Sequence, residues 1–190
     1  MQNKMVYPIL VFLCYFSIAC NNSESNHKNT IPPAKSAALI IASSQMSSAK
    51  TIAENIIADT SYTILAEALK STDLLETLGK PGPFTLFTPA NNAFKKLPQG
   101  MLDGLIKNRK TDLANILSYH IVAGSIKTRD MKDGEKLKTL AGEELIVTVR
   151  GDKLLINGIN VISTDIEASN GIIYVTDGVL FPRSQNAGSY

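Results

Sequence analysis

The spacing of apolar residues predicts helices at the start of the folded region. Thr51 and Glu54 have the spacing of a capping box, and a short helical pattern follows them through Ala58. Asp73 is the expected start of a later helix, and Gly79 is its expected end. Two groups of apolar residues recur at helical spacing in this region: Ile64, Leu65, Ala68 and Leu69, then Leu74, Leu75 and Leu78.

Residues 80–119 combine one predicted strand with two further helices. Phe84 to Thr88 alternates between apolar and polar positions as a strand does. Thr88-Pro89 is then predicted to open a short helix, because proline is tolerated at the first helical position. The apolar residues of this helix are Ala93, Phe94 and Leu97, and those of the next are Leu113, Ile116 and Leu117.

Beyond Tyr119, short runs rich in β-branched residues predict strands at 144–150, 153–156, 160–163, 172–175 and 179–181. Asn157-Gly158 and Asn170-Gly171 suit tight hairpin turns, where both central residues need φ > 0. Helices followed by strands predict a single α+β domain over residues 51–183. A domain of that length buries about two-thirds of its unfolded surface, enough for stability without disulfides.

The first nineteen residues predict a signal peptide, with Lys4 as its positive start. The 14 residues from Val6 to Ala19 are almost wholly apolar, which is too short a stretch to span a bilayer. Cys20 follows directly, so the segment resembles the lipobox of a bacterial lipoprotein, with Ser17 where leucine is more usual. Lipid attachment at Cys20 is therefore expected; the alternative is an ordinary secretory signal.

The predicted organisation is a lipoprotein signal peptide at 1–19, a flexible lipid-anchored linker at 20–50, the domain at 51–183 and a C-terminal tail at 184–190. Asn21 and Asn22 follow the cysteine without an aspartate at the second position. In the common Gram-negative sorting scheme, that predicts an exported protein anchored in the outer membrane, on either the cell-surface or the periplasmic face.

Composition excludes several classes of protein. Cys14 and Cys20 are the only cysteines, and Cys14 would leave with the signal peptide, so the mature chain has no thiol for a disulfide or a nucleophile. The formal net charge is +2 and tryptophan is absent, so nucleic acid is not an expected partner. His120 is the one histidine between residues 51 and 183, and we expect no metal site and no cofactor.

Three segments resemble the signature blocks of the fasciclin domain family in order and spacing: residues 82–94, with Gly82-Pro83-Phe84-Thr85 at their start; residues 116–124, which contain Tyr119-His120; and residues 170–182, which begin Asn170-Gly171. The resemblance implies a compact β-sheet wedge or sandwich with several short helices packed along one side. Tyr174 departs from the family pattern, which often has histidine at this position of the closing block.

The resemblance also implies adhesion and binding at cell surfaces or in matrix, without catalysis. Asp165-Ile166 occupies the place of a pair that animal members use to bind integrins, so both residues are candidates for partner binding. The alternative is that Asp165 caps a turn and Ile166 belongs to the core. The motif residues are expected to be structural: Thr85, Thr88, Tyr119, His120, Asn170 and Gly171.

The sequence therefore predicts a non-catalytic lipoprotein that binds a cell-surface, matrix or envelope protein or a polysaccharide, and that contacts the membrane through its N-terminal lipid. The alternative is a periplasm-facing accessory lipoprotein that binds a small molecule or a carbohydrate. A concave apolar pocket with a few converging polar groups would favour that alternative. An enzyme would need an open cleft that places His120 beside a carboxylate.

Overall fold

The computed structural model describes residues 46–183. The predicted signal peptide, Cys20, most of the 20–50 linker and the 184–190 tail lie outside the described residues. The described helices are α1 (Ile52–Ala58), α2 (Thr63–Ser71), α3 (Leu74–Gly79), α4 (Asn91–Phe94), α5 (Met101–Asn108) and α6 (Lys110–Tyr119), with short 3-10 segments at Thr60–Tyr62 and Thr128–Asp130.

Helix α1 begins at the predicted capping box. Glu54 N–H donates to Thr51 Oγ1 at 3.2 Å, and Thr51 N–H donates to Glu54 Oε2 at 2.7 Å. The two bonds satisfy backbone donors that would otherwise lack partners at the helix start. The bond from Thr51 N–H lowers the pKa of Glu54, and the Thr51 hydroxyl, which donates to Glu54 Oε2 at 2.9 Å, lowers this pKa further.

Seven strands form one mixed sheet. They are β1 (Phe84–Pro89), β2 (Ile121–Ala123), β3 (Lys136–Lys138), β4 (Glu144–Arg150), β5 (Lys153–Ile156), β6 (Ile159–Ala168) and β7 (Gly171–Thr176). Their order is β2-β1-β7-β6-β5-β4-β3, with β1 parallel to β7 and the other neighbours antiparallel. An isolated bridge between Val122 and Thr139 joins the two edges, so the sheet nearly closes into a barrel. The predicted α+β fold is confirmed.

Strands β1 and β7 lie between two hydrophobic cores. Leu86 and Ile173 belong to the core that the helices cover, and Phe87 and Tyr174 belong to the core inside the curved sheet. Consecutive strand residues face opposite sides, so both faces of this parallel pair are buried. The rings of Phe87 and Tyr174 stack with their centroids 5.4 Å apart.

One predicted helix start is wrong. Pro89 remains in β1, in register with Thr176, and α4 begins after Ala90. The strand continues because Pro89 is its last residue, where a missing N–H disturbs the ladder least. The other helix start is at the predicted place, because Asp73 directly precedes α3. Asp73 does not cap the helix with its side chain, however, and its backbone is left-handed with φ 59°, whereas capping residues usually have an extended backbone.

The predicted strand at 179–181 is absent from the described sheet. The N–H of Leu180 donates to His120 Nε2 at 3.0 Å, so this group is not available to a strand partner. Strand β6 is longer than predicted and runs through Asp165 to Ala168. Tertiary contacts override the local β-propensity at both places.

The two Asn-Gly pairs differ in backbone conformation. Asn157 and Gly158 have φ of 49° and 82° and form the predicted tight turn between β5 and β6. Asn170 and Gly171 are not at positive φ, because Gly171 already pairs with Ala168 as the first residue of β7. A Cβ at Gly171 would overlap the carbonyl oxygen of Phe84, so close approach of the two strands, rather than a turn, requires glycine there.

Candidate functional site

Asp165 and Ile166 lie in an irregular part of β6. The pairing register between β6 and β7 shifts between Ser163 and Ile166, and Asp165 has a left-handed backbone with φ 54°. The side chain of Asp165 is exposed, whereas Ile166 is half-buried and packs against the helix-side core. The bulge thus turns a carboxylate outward beside an apolar contact with the interior.

One carboxylate oxygen of Asp165 is bonded to two other elements. Asp165 Oδ1 accepts the N–H of Thr128 at 2.8 Å and the hydroxyl of Tyr174 at 2.9 Å. Thr128 begins a 3-10 segment in the connection between β2 and β3, so Asp165 fixes that connection to the sheet. Partial burial raises the pKa of Asp165, but the bonds from Thr128 and Tyr174 and the charge of Lys127 outweigh it and keep the pKa below its usual value.

The hydroxyl of Tyr174 has two acceptors for one proton. The carbonyl oxygen of Ile126 lies 2.8 Å from it, and Asp165 Oδ1 lies 2.9 Å from it. Burial is the main cause that raises the pKa of Tyr174, and the neighbouring Asp165 raises it further. Tyr174 is therefore a neutral donor beside a charged carboxylate.

An ion pair lies next to Asp165. Lys127 Nζ and Glu167 Oε1 are 2.9 Å apart and join the β2–β3 connection to β6 a second time. Both side chains also line an open depression of about 570 Å³ at the strand ends, together with Pro81 and Pro83. We call Asp165, Ile166, Lys127, Thr128 and Glu167 the Asp165 surface.

Sequence reasoning found only two members of the Asp165 surface. Lys127, Thr128 and Glu167 carried no signal, because Lys127 and Thr128 are about forty residues from their β6 partners along the chain. Only the pairing of β6 with β7 and the path of the β2–β3 connection bring them together.

Tyr119 and His120 face inward at the end of α6. The Tyr119 hydroxyl donates to the carbonyl oxygen of Glu144 at 3.0 Å and accepts from Asn157 Nδ2 at 2.8 Å. His120 Nδ1 lies 2.8 Å from the carbonyl oxygen of Ile116, and His120 Nε2 accepts the N–H of Leu180. These partners require the neutral tautomer with the proton on Nδ1.

The environment of His120 opposes protonation. The ring is 1% exposed, and burial lowers its pKa to about 4 although the bond to Ile116 acts in the opposite direction. A second ring proton would also point at the N–H of Leu180. The ring is not exposed beside a carboxylate, as general acid–base catalysis at an open cleft would require.

Thr85 and Thr88 are also buried. Thr85 donates its hydroxyl to Gly124 O at 2.6 Å and accepts the N–H of Ile126 at 3.0 Å. Thr88 is fully buried, and its hydroxyl has no hydrogen-bond partner among the described residues.

Asn170 joins three segments through one side chain. Its Oδ1 accepts the N–H of Ile52 at 2.9 Å, and its Nδ2 donates to Leu78 O at 2.7 Å and to Lys80 O at 2.8 Å. The side chain therefore connects the start of α1, the end of α3 and the β6–β7 turn. The adjacent Gly171 permits the close approach to Phe84 described above.

Other kinds of site find little support between residues 46 and 183. No group of three or more histidine, cysteine, aspartate or glutamate side chains in this range is placed to hold a metal ion. Over the same range, every helix is too short or too polar to cross a membrane.

The comparisons of this chain with known proteins agree on one family. The family model of the fasciclin domain matches residues 60–182. Protein sll1483 of Synechocystis sp. is 40% identical over 144 residues, which are 75% of this chain and 79% of that protein. Human periostin is 34% identical over 135 residues, which cover 70% of this chain but 16% of periostin.

A solved structure shares the fold. A FAS1 domain pair from the insect cell adhesion molecule fasciclin I aligns with a TM-score of 0.62 at 20% identity. The alignment covers 71% of this chain and 52% of that chain.

Proposed function

This chain belongs to the fasciclin domain family, and on that premise we propose that it is an exported, lipid-anchored protein whose domain binds a partner without catalysis. The partner is a protein or polysaccharide of a cell surface, a matrix or the bacterial envelope. Family membership is consistent with adhesion or binding, and the structurally similar fasciclin I is a cell adhesion molecule.

The exposed carboxylate of Asp165 is the observation that carries the proposal. Two hydrogen bonds and a strained backbone fix its position, and an ion pair between Lys127 and Glu167 lies beside it. A fixed charged group loses little conformational freedom when it binds, so more of the contact energy appears as affinity. The Asp165 surface therefore suits a partner that presents a hydrogen-bond donor or a cation.

The same bonds decide which substitution is informative. Replacing Asp165 by alanine would remove the acceptor of Thr128 N–H and of the Tyr174 hydroxyl, and so would disturb the β2–β3 connection. Asp165→Asn keeps an Oδ1 acceptor at the same place, removes the charge and replaces the other carboxylate oxygen by an NH2 donor. Asp152→Asn is the matched control, because Asp152 is an exposed aspartate in the turn between β4 and β5.

The experiment measures attachment of beads coated with the full-length chain to cells of the producing strain and to its purified extracellular polysaccharide. We expect Asp165→Asn to reduce attachment about tenfold, since one charge-assisted contact is worth roughly 1.5–3 kcal/mol. Asp152→Asn should behave as the wild type. Equal attachment by the two variants, with both folded, would remove the Asp165 surface from the proposal.

Membrane anchoring and location need a separate test. We propose that lipid on Cys20 anchors the chain in the outer membrane and that the linker gives the domain reach. Cys20→Ser should release the chain into the soluble fraction, and protease added to intact cells should cleave the wild type from the surface. If the domain is protected until the cells are lysed, direct adhesion is wrong and a periplasm-facing role replaces it.

A further inference from the structure

A second concave site lies between β4 and the segment that follows β7. It is an open pocket of about 510 Å³, within the size range of small-molecule sites. Its side walls include Ile146, Thr148, Ile159, Val179, Phe181 and Arg183. We call it the C-terminal pocket, and Asp165 and its neighbours do not line it.

The first wall, formed by β4 and the turn between β5 and β6, is fixed from inside by Tyr119. Asn157, in the turn between β5 and β6, accepts the N–H of Ile146 through Oδ1 at 2.8 Å. Its Nδ2 donates to the Tyr119 hydroxyl at 2.8 Å. The same side chain thus fixes the turn to β4 and to the end of α6, although Asn157 itself has a left-handed backbone with φ 49°.

The second wall, formed by the segment that follows β7, is fixed from inside by His120, the residue after Tyr119. Leu180, between the lining residues Val179 and Phe181, donates its N–H to His120 Nε2 at 3.0 Å. The His120 ring is in turn bonded to the carbonyl oxygen of Ile116 at 2.8 Å. The Tyr-His pair therefore positions both walls of the C-terminal pocket from the core, which makes the pocket preformed.

The lining combines an apolar surface with one positive charge. Ile146, Ile159 and Phe181 are half-buried, so each presents part of its apolar surface to the pocket. Thr148 adds a hydroxyl, and Arg183 adds a guanidinium. None of the described residues that line the pocket is acidic. Glu143 lies outside the lining and accepts the backbone N–H of Arg183 at 2.9 Å.

We propose that the C-terminal pocket binds a small amphipathic anion, in which an apolar chain or ring carries one carboxylate. The apolar part contacts Ile146, Ile159 and Phe181, where burial removes its surface from water. The carboxylate meets Arg183, whose planar guanidinium matches it with two parallel hydrogen bonds, and the hydroxyl of Thr148 can donate a third. Binding is non-covalent and does not involve the Asp165 surface.

The test compares three ligands that share one six-carbon chain: hexanoate, hexanol and hexylammonium. Each is titrated into the full-length protein, and binding is followed by backbone amide NMR signals. Hexanoate should shift the signals of Gly158, Ile159 and Phe181 saturably, and it should bind about tenfold more tightly than hexanol. Hexylammonium should bind more weakly than either, because Arg183 repels it.

Two variants and a control locate the site. Arg183→Gln should reduce the affinity for hexanoate to that for hexanol, whereas Arg150→Gln, at an exposed arginine outside the pocket, should leave it unchanged. Ile146→Trp should fill the pocket from its β4 wall and abolish binding of both hexanoate and hexanol. Asp165→Asn, which lies outside the pocket, should bind hexanoate as the wild type does. The proposal is overturned if hexanoate gives no saturable shifts, if hexylammonium binds as tightly, or if Ile146→Trp binds unchanged.

Discussion

Acidification should destabilise this domain through His120. The folded state has a neutral ring, which donates to Ile116 O and accepts from Leu180 N–H, and burial lowers its pKa to about 4. In the unfolded chain the ring is in water and has the ordinary pKa of 6.5. Between these two values the unfolded chain binds a proton that the folded domain does not, so the free energy of unfolding must fall as the pH falls.

The size of this loss follows from the difference in pKa. Each unit corresponds to about 1.36 kcal/mol, so a difference of about 2.5 units predicts a loss of about 3 kcal/mol by pH 4. Stability conferred by the depressed pKa is complete above pH 6.5 and is lost as the pH approaches 4. A domain of this size has only about 5–15 kcal/mol of stability, so the loss is a large fraction of the total.

Urea unfolding at pH values between 7 and 4 measures the effect, with His120→Gln as the matched variant. Glutamine keeps an acceptor for Leu180 N–H but loses the donor to Ile116 O, so it should cost about 1–2 kcal/mol at pH 7. Between pH 6.5 and 4 it should then lose about 3 kcal/mol less than the wild type. Equal losses in the two proteins over that interval would show that the buried ring is not the cause.

Two further predictions each compare a pair of substitutions that should change the free energy of unfolding in opposite directions. Urea unfolding at neutral pH measures both pairs. Thr88→Val should stabilise the domain by about 1 kcal/mol, because it removes a buried hydroxyl without a described partner. Thr85→Val should instead destabilise it by about 2 kcal/mol, because it leaves Gly124 O and Ile126 N–H unpaired. A loss at both threonines would contradict the reasoning. Gly171→Ala should cost about 3 kcal/mol or more, since its Cβ would overlap Phe84 O. Gly104→Ala, in α5 with open space around it, should instead add about 0.5–1 kcal/mol, and similar effects at the two glycines would refute the packing argument.

Local sequence predicted several features that the structure confirms. The capping box at Thr51 and Glu54 begins α1, and Asn157-Gly158 forms its turn, because such signals act within four residues. The helix start predicted at Pro89 was wrong, and Asp73 precedes α3 as predicted but without a capping bond. Both predictions rested on the preferences of single residues, and the path of the surrounding chain determined the backbone instead.

The candidate sites were predictable only in part. The position of Asp165-Ile166 followed from a resemblance, but not the bulge that exposes the carboxylate or the bond to Thr128, 37 residues earlier in the chain. The C-terminal pocket gave no sequence signal. Its walls depend on bonds from Tyr119 to Asn157 and from Leu180 to His120, which join residues 38 and 60 positions apart.

The sequence by itself determined most helices and most strands, the α+β class and the family, because these follow from short-range periodicity and from blocks of adjacent residues. It did not predict α5. The tertiary structure decided the insertion of β7 between β1 and β6, the near-closure of the sheet, and which polar side chains hold distant segments. The physical reason is that a hydrogen bond such as that from Leu180 N–H to His120 Nε2 forms only when the folded sheet brings its donor and its acceptor together. No local pattern of residues encodes that distance.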